Sequence, residues 1–375
     1  MANWYAHSSG TLTSVFWTLS QTDPTNPQQW GDMADVDDVY ANGNVVEINV
    51  FNWTRNKLYS SHISPDIGGF TYPTDTGENE ITCDIHAAWS TFSNRTYGLS
   101  SNHGSGTLTI NGNIYGSSMS GAYYGYGIHH TGAGNLLING SVYSGNSAPG
   151  ADSNYCSGIV NAYMGDVYIT GEVRAYNSYT SHGVDNKWSG TITVDGNVTA
   201  GSNSSCYGIY NSYSNSVLYV GGDVVGGSSY SSCYGIYNNG TSYVTGDVSG
   251  GSYSSCSGIY NSSNGVLYIT GDVSGGSASD CYGVYNANQA HIEGVVSGGS
   301  YYTAVGVYNS SSSGDDCYLK HIAFLENHHG APPTGGAGFH YDFGTVEYYD
   351  EASGTTNILS AKHGHRGSTN IQGKI

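Results

Sequence analysis

Charge is scarce in this chain: only 10% of its 375 residues are Asp, Glu, Lys or Arg. Basic residues are scarcest, nine against 28 acidic ones, so the net charge is 9 − 28 = −19 at neutral pH. Between Gly98 and Tyr308 only Arg174 and Lys187 are basic. No basic stripe can follow a phosphate backbone, so nucleic acid is not an expected partner. No run approaches the roughly 20 apolar residues of a membrane span, and none is expected. The first residues, Met1-Ala2-Asn3-Trp4-Tyr5-Ala6-His7, have neither a basic start nor an apolar stretch, so no signal peptide for general secretion is expected. Helical periodicity is also missing, because Gly or Asn interrupts every window with apolar residues at three-and-four spacing. The seven Cys lack the paired short spacings of a zinc site, and an odd number cannot all pair within one chain.

What is abundant is Gly and Tyr, 56 and 35 residues, about a quarter of the chain. Disorder is the usual reading of such a composition, but the 38% of apolar residues recur regularly. The segment Cys206-Tyr207-Gly208-Ile209-Tyr210-Asn211 returns as Cys233 to Asn238, Cys256 to Asn261 and Cys281 to Asn286. Looser copies extend a glycine ladder through Gly98, Gly127, Gly158, Gly183, Gly208, Gly235, Gly258, Gly283 and Gly306, with steps of 23 to 31 residues. A second ladder, Gly112, Gly140, Gly171, Gly196, Gly222, Gly246, Gly271 and Gly294, keeps step with it. Around the second ladder Leu218, Val220 and Val224 alternate with polar residues, as strands do. A unit of about 25 residues cannot bury its own apolar side and must stack on its neighbours. The expected fold is all-β, a right-handed parallel β-helix of about nine coils over residues 96–310, with handedness inferred from the crossover rule. Both glycine ladders are expected at bends.

The remaining columns of like residues follow from that stacking. Leu99, Ile128, Ile159, Val184, Ile209, Ile236, Ile259, Val284 and Val307 form one inward column. Asn161, Asn186, Asn211, Asn238, Asn261, Asn286 and Asn309 form another, expected as an asparagine ladder at one turn. Cys156, Cys206, Cys233, Cys256 and Cys281 share a small-residue column with Ser181 and Ala304, expected as reduced packing thiols because parallel side-chain vectors suit a disulfide poorly. Asp223, Asp247 and Asp272, in line with Glu172 and Asn197, are expected to cap turns while facing water; calcium bridged between coils is the alternative. Tyr210, Tyr237, Tyr260, Tyr285 and Tyr308, and separately Tyr219, Tyr243 and Tyr268, alternate with the aliphatic columns and are expected outside. They form either a stiff rod surface or a glycan-contact surface, since Tyr, Ser, Gly and Asn are the vocabulary of adaptable recognition.

The ends depart from the repeat. Residues 1–95 hold five of the six Trp, and read as a cap or attachment region. Their acidic cluster Asp32, Asp35, Asp37 and Asp38 reads as a solvated loop, with a metal site as the alternative. Residues 311–375 gain Pro332-Pro333 and six of the 14 His, and read as a terminal or partner-binding module.

Tyr234 to Asn238 followed by Thr245-Gly246-Asp247-Val248-Ser249-Gly250-Gly251, behind a Trp-rich start, resembles the β-solenoid surface proteins of tailed bacteriophages, the fibre, spike and decoration types. The resemblance implies a virion-surface location, contacts to other virion proteins, and a homo-oligomer of the trimeric kind found in spikes. It also implies a reading for His363-Gly364-His365, because similar His-x-His pairs at spike tips hold an iron ion through three chains; the alternative is a plain tail. No cofactor is required by the repeat, and calcium or iron are the two candidate ions. Catalysis has to be weighed, since β-helices include polysaccharide lyases and depolymerases. No nucleophile set stands out, and a uniform repeat offers no irregular cleft for a carboxylate pair. The expected function is therefore a non-enzymatic virion appendage that adheres to host-surface glycan. A depolymerase and a bacterial adhesin or self-assembling extracellular fibre are the alternatives.

Overall fold

The computed structural model describes residues 2–6, 10–11, 15, 17–18, 25, 27, 29–35, 37–40, 45–47, 53–59, 69–71, 78–87, 95–116, 124–145, 155–202, 204–228, 233–251, 256–276, 281–298, 305–309, 316–322, 339–341, 345–350 and 355–360. They are almost wholly β, with one short 3-10 turn at Trp30–Asp32. The strands stack in parallel as a β-solenoid of about seven turns, slightly fewer than the nine coils counted from glycine steps. The chain divides into two compact units, residues 1–179 with 185–195, and residues 180–184 with 196–375.

In the first unit, strand Tyr124–His130 lies between Arg95–Ser101 and Tyr155–Asn161 in parallel register, with Ile128 opposite Leu99 and Ile159. Thr107–Asn111, Asn135–Ile138, Val167–Ile169 and Thr191–Val194 stack likewise on a second side. In the second unit Ser205–Asn211, Cys233–Asn238, Ser257–Asn261, Tyr282–Asn286 and Val305–Asn309 run in one sheet. Val217–Val220, Thr241–Val244 and Val266–Ile269 run in another.

Alternation fixes which side is buried. Ile209, Ile236, Ile259 and Val284 are fully buried, as are Val224 and Val273. Each such side chain contributes about 1.5–3 kcal/mol of burial, and the contribution recurs every coil. Cys206, Cys233, Cys256 and Cys281 are fully buried and pack together with Ala200. Small glycines make room for them: a Cβ on Gly251 would stand 2.8 Å from the Cys233 Cβ and 2.0 Å from the Gly227 carbonyl oxygen.

The first glycine ladder does not lie at bends. Gly208 sits inside strand Ser205–Asn211, and a Cβ there would meet the Gly235 carbonyl oxygen and Val224 Cγ1, both at 2.7 Å. Its requirement is space between coils, not an unusual backbone angle. The second ladder occupies turns at Gly222, Gly246 and Gly271, whereas Gly294 lies inside strand Gln289–Ser297.

Among the described residues, parallel pairing is found on both sides of residues 95 and 310. Before residue 95, Asp38–Tyr40, Trp53–Tyr59 and Asn79–His86 already pair in parallel. Beyond 310, Asp316–Ile322 and Thr345–Asp350 continue parallel pairing, and Thr355–Ser360 closes the edge by running antiparallel. In the first unit Asn3–Ala6 pairs antiparallel with Trp17–Thr18. A reversed strand at a sheet edge breaks the parallel register a further coil would need.

Candidate functional site

The asparagine column is a continuous internal ladder within each unit. In the second, Nδ2 of Asn211 donates to Oδ1 of Asn238 at 3.0 Å, Asn238 to Asn261 at 2.9 Å, and Asn261 to Asn286 at 2.8 Å. Asn161 donates to Asn186 at 3.4 Å in the first. The same amides also reach turn carbonyls, Asn161 to Gly165 at 3.0 Å and Asn261 to Gly265 at 2.9 Å. All six of these asparagines are fully buried. Asn309 is in register with Asn286.

His130 occupies the ladder position next to Asn161, and its Nε2 lies 2.9 Å from the Gly134 carbonyl oxygen. Burial pushes its pKa below the ordinary 6.5, and His103 adds to the shift, while backbone hydrogen bonds to Gly134 and Ser101 oppose it. The signal was in the sequence: 161 − 130 is 31, the step between Gly127 and Gly158.

The acidic column caps turns. Asp223 N–H donates to Asn197 Oδ1 at 2.8 Å, Asp247 N–H to Asp223 Oδ1 at 2.9 Å, Asp272 N–H to Asp247 Oδ1 at 2.8 Å, and Val295 N–H to Asp272 Oδ1 at 2.8 Å. One oxygen of each carboxylate is thus committed to the next coil. Among the described residues no group of three or more His, Cys, Asp or Glu is placed to hold a metal ion. His363 and His365 lie outside the described residues. In the N-terminal acidic cluster, Asp32 and Asp35 are exposed. Asp37 departs from the solvated reading: it is buried and accepts from the Trp4 indole at 2.9 Å and the Ala2 amide at 2.6 Å. Burial raises its pKa, but those donors and Ala34 outweigh it and hold the carboxyl below its ordinary value.

The tyrosines form the main exterior feature of the second unit. Tyr210 and Tyr237 have ring centroids 5.0 Å apart, Tyr237 and Tyr260 5.2 Å, and Tyr260 and Tyr285 4.6 Å. Another column, missed from sequence, runs beside it: Tyr207 and Tyr234 stack at 5.3 Å and 5°, and Tyr207 lies 5.4 Å from Tyr210. Tyr282 adds an edge contact to Tyr285 at 6.0 Å, and His182 reaches Tyr210 at 4.9 Å. On the other sheet, Tyr243 lies 4.9 Å from both Tyr219 and Tyr268. Tyr219 and Tyr268 are 43% and 41% exposed, whereas Tyr210, Tyr237, Tyr260 and Tyr285 are half-buried. Tyr308 is in register with Tyr285.

Gly208 explains the double column. Register links Tyr207 to Tyr234 and Ile209 to Ile236, with Gly208 left out. Cys206, Gly208 and Ile209 are all buried, so the alternation shifts by one residue at the glycine and Tyr207 and Tyr210 both lie on the outer side.

Ring spacing decides what this surface offers. Near-parallel rings with centroids this close cannot lie side by side in one plane, because their edges would collide. Each ring therefore covers part of its neighbour's face. Burial, then the neighbouring phenols, pushes the Tyr207 and Tyr260 pKa values above 10, so these groups stay neutral donors and acceptors at physiological pH.

Of the two Lys or Arg residues between Gly98 and Tyr308, Arg174 lies over the Tyr176 ring at 5.6 Å and Lys187 over the Tyr155 ring at 5.1 Å. Lys187 Nζ also sits 3.1 Å from Oδ2 of Asp185, a carboxylate that is fully buried and accepts the Tyr155 hydroxyl hydrogen bond. Burial, followed by the Asp185 charge, pushes the Tyr155 pKa well up. Asp185 stands one 25-residue step before Tyr210, so it occupies a tyrosine-column position, which is why residue type alone did not reveal it.

Comparison with known protein families, with characterised proteins and with solved structures finds no match for this chain.

Proposed function

We propose that the chain is a non-enzymatic structural appendage of the tailed-phage type, a virion-surface solenoid that adheres to host-surface glycan through its stacked tyrosines. The observation that carries the glycan part is the double tyrosine column of Tyr207, Tyr210, Tyr234, Tyr237, Tyr260 and Tyr285. It repeats one binding element per coil, so weak contacts to a polymer add through avidity. The phage part is supported by the resemblance of the Tyr-Gly-Ile-Tyr-Asn and Thr-Gly-Asp-Val-Ser-Gly-Gly alternation alone. Contacts to other virion proteins and to sister chains belong to the ends in this reading. Antibody labelling of phage particles under the electron microscope tests it: label at one surface structure is expected, and particles without label would overturn the assignment.

A polysaccharide depolymerase is favoured by one observation, the buried Asp185 held by Tyr155 and Lys187. Release of oligosaccharide that is lost in Asp185→Asn would establish it over the structural reading.

A further inference from the structure

The asparagine ladder of the first unit is broken at His130, and the break follows from counting hydrogens. An asparagine amide has two N–H hydrogens. Asn161 reaches the Gly165 carbonyl at 3.0 Å and Asn186 Oδ1 at 3.4 Å, and Asn261 reaches Gly265 and Asn286 likewise. His130 has the same place in its coil, four residues before Gly134, and its Nε2 lies 2.9 Å from that carbonyl. A carbonyl only accepts, so Nε2 carries the ring proton. Burial pushes the pKa below 6.5, so the ring is neutral at physiological pH and Nδ1 presents a lone pair. One N–H cannot serve both Gly134 and Asn161.

Three polar atoms in consecutive coils are stranded as a result. Ser101, His130 and Asn161 stand in parallel register and are fully buried. Among the described residues, Ser101 Oγ, His130 Nδ1 and Asn161 Oδ1 have no hydrogen-bond partner in the chain. A buried polar atom left so costs more than an ordinary hydrogen bond gains. Nδ1 lies on the Ser101 side of the ring, because the charged imidazole is favoured by the Ser101 backbone as well as by Gly134, and Nε2 is already committed to Gly134. Ser101 stands where later coils have Asn. Its side chain is shorter than an asparagine, and its hydroxyl stops short of Nδ1.

We propose that one internal water molecule completes the ladder between Ser101 and His130, donating a hydrogen to Nδ1 and accepting the Ser101 hydroxyl. A lone pair facing a hydroxyl needs a group that both donates and accepts, as water does. Buried waters in proteins commonly satisfy polar groups that the chain itself leaves unpaired. A cation is the poorer match. Nδ1 and Oγ bring no negative charge, and among the described residues no group of three or more His, Cys, Asp or Glu is placed to hold a metal ion.

The test compares the full-length chain with Ser101→Ala, which removes a single oxygen, at about pH 8 where the imidazole is neutral. The role of the hydroxyl sets the sign of the effect. If Oγ holds the water, its removal strands Nδ1 as well, and the thermal midpoint is expected to fall by a few degrees. If Oγ is an idle buried hydroxyl, its removal relieves a desolvation cost. An unchanged or higher midpoint therefore overturns the proposal. A crystal structure of the full-length chain locates the molecule directly: a density peak about 2.7–3.2 Å from both His130 Nδ1 and Ser101 Oγ is expected, and it should be gone in Ser101→Ala. An empty site or a direct bond from Ser101 Oγ to Nδ1 would overturn it. So would a peak that gains electron density when rubidium replaces sodium, which assigns the site to a cation.

Discussion

At the scale of single residues, the solenoid depends on a few positions where chemistry leaves no alternative. Gly208→Ala places a methyl group 2.7 Å from a carbonyl oxygen of the next coil, so a loss of about 1–3 kcal/mol is expected from the denaturant midpoint. Asn238→Ala removes an acceptor for Asn211 and Ser242 and a donor to Asn261; about 3 kcal/mol is expected to be lost, because buried partners are left unsatisfied. His130 adds a pH dependence. Its folded pKa lies below the ordinary 6.5, so as pH falls through that value the unfolded chain binds a proton that the folded chain refuses. Stability from this group is complete above the unfolded value and declines on acidification. His130→Asn should flatten the acid side of the thermal midpoint between about pH 7 and about pH 5, and an unaltered slope would show that His130 is not the titrating group.

At the scale of strands and turns, the aliphatic, asparagine and cysteine columns were legible because each repeats one residue type at one place in the coil. The second tyrosine column was not, since strict alternation from Ile209 turns Tyr207 inward and only the skipped Gly208 reverses it. The same glycine was expected at a bend, because glycine usually signals a turn and sequence does not distinguish a need for space from a need for a special angle. His130 and Asp185 escaped because they replace the consensus residue in otherwise uniform columns. The acidic turns carry the test of the capping account. The triple variant Asp223→Asn, Asp247→Asn, Asp272→Asn keeps every Oδ1 acceptor, as Asn197 already does at 2.8 Å, and removes aligned like charges worth up to about 1 kcal/mol per pair in water. The expected thermal midpoint is equal or higher, and a chelator is expected to leave it unmoved. A drop with either treatment would favour bridged calcium.

At the scale of the whole molecule, repetition makes each coil dispensable in principle, since stability in such folds is close to a sum of coils and their interfaces. Removing residues 235–257 of the second unit, one 258 − 235 = 23 residue step, joins Tyr234 to Gly258 in register. The shortened chain is expected to fold with the same β spectrum and a modestly lower midpoint. The central claim, a solenoid that holds glycan without cleaving it, is met most directly by incubating the intact chain with neutral polysaccharide, then measuring both retention on the protein and polymer length by size-exclusion chromatography. Retained polymer of undiminished length is the result this account predicts; shortened polymer, or no retention at all, would contradict it.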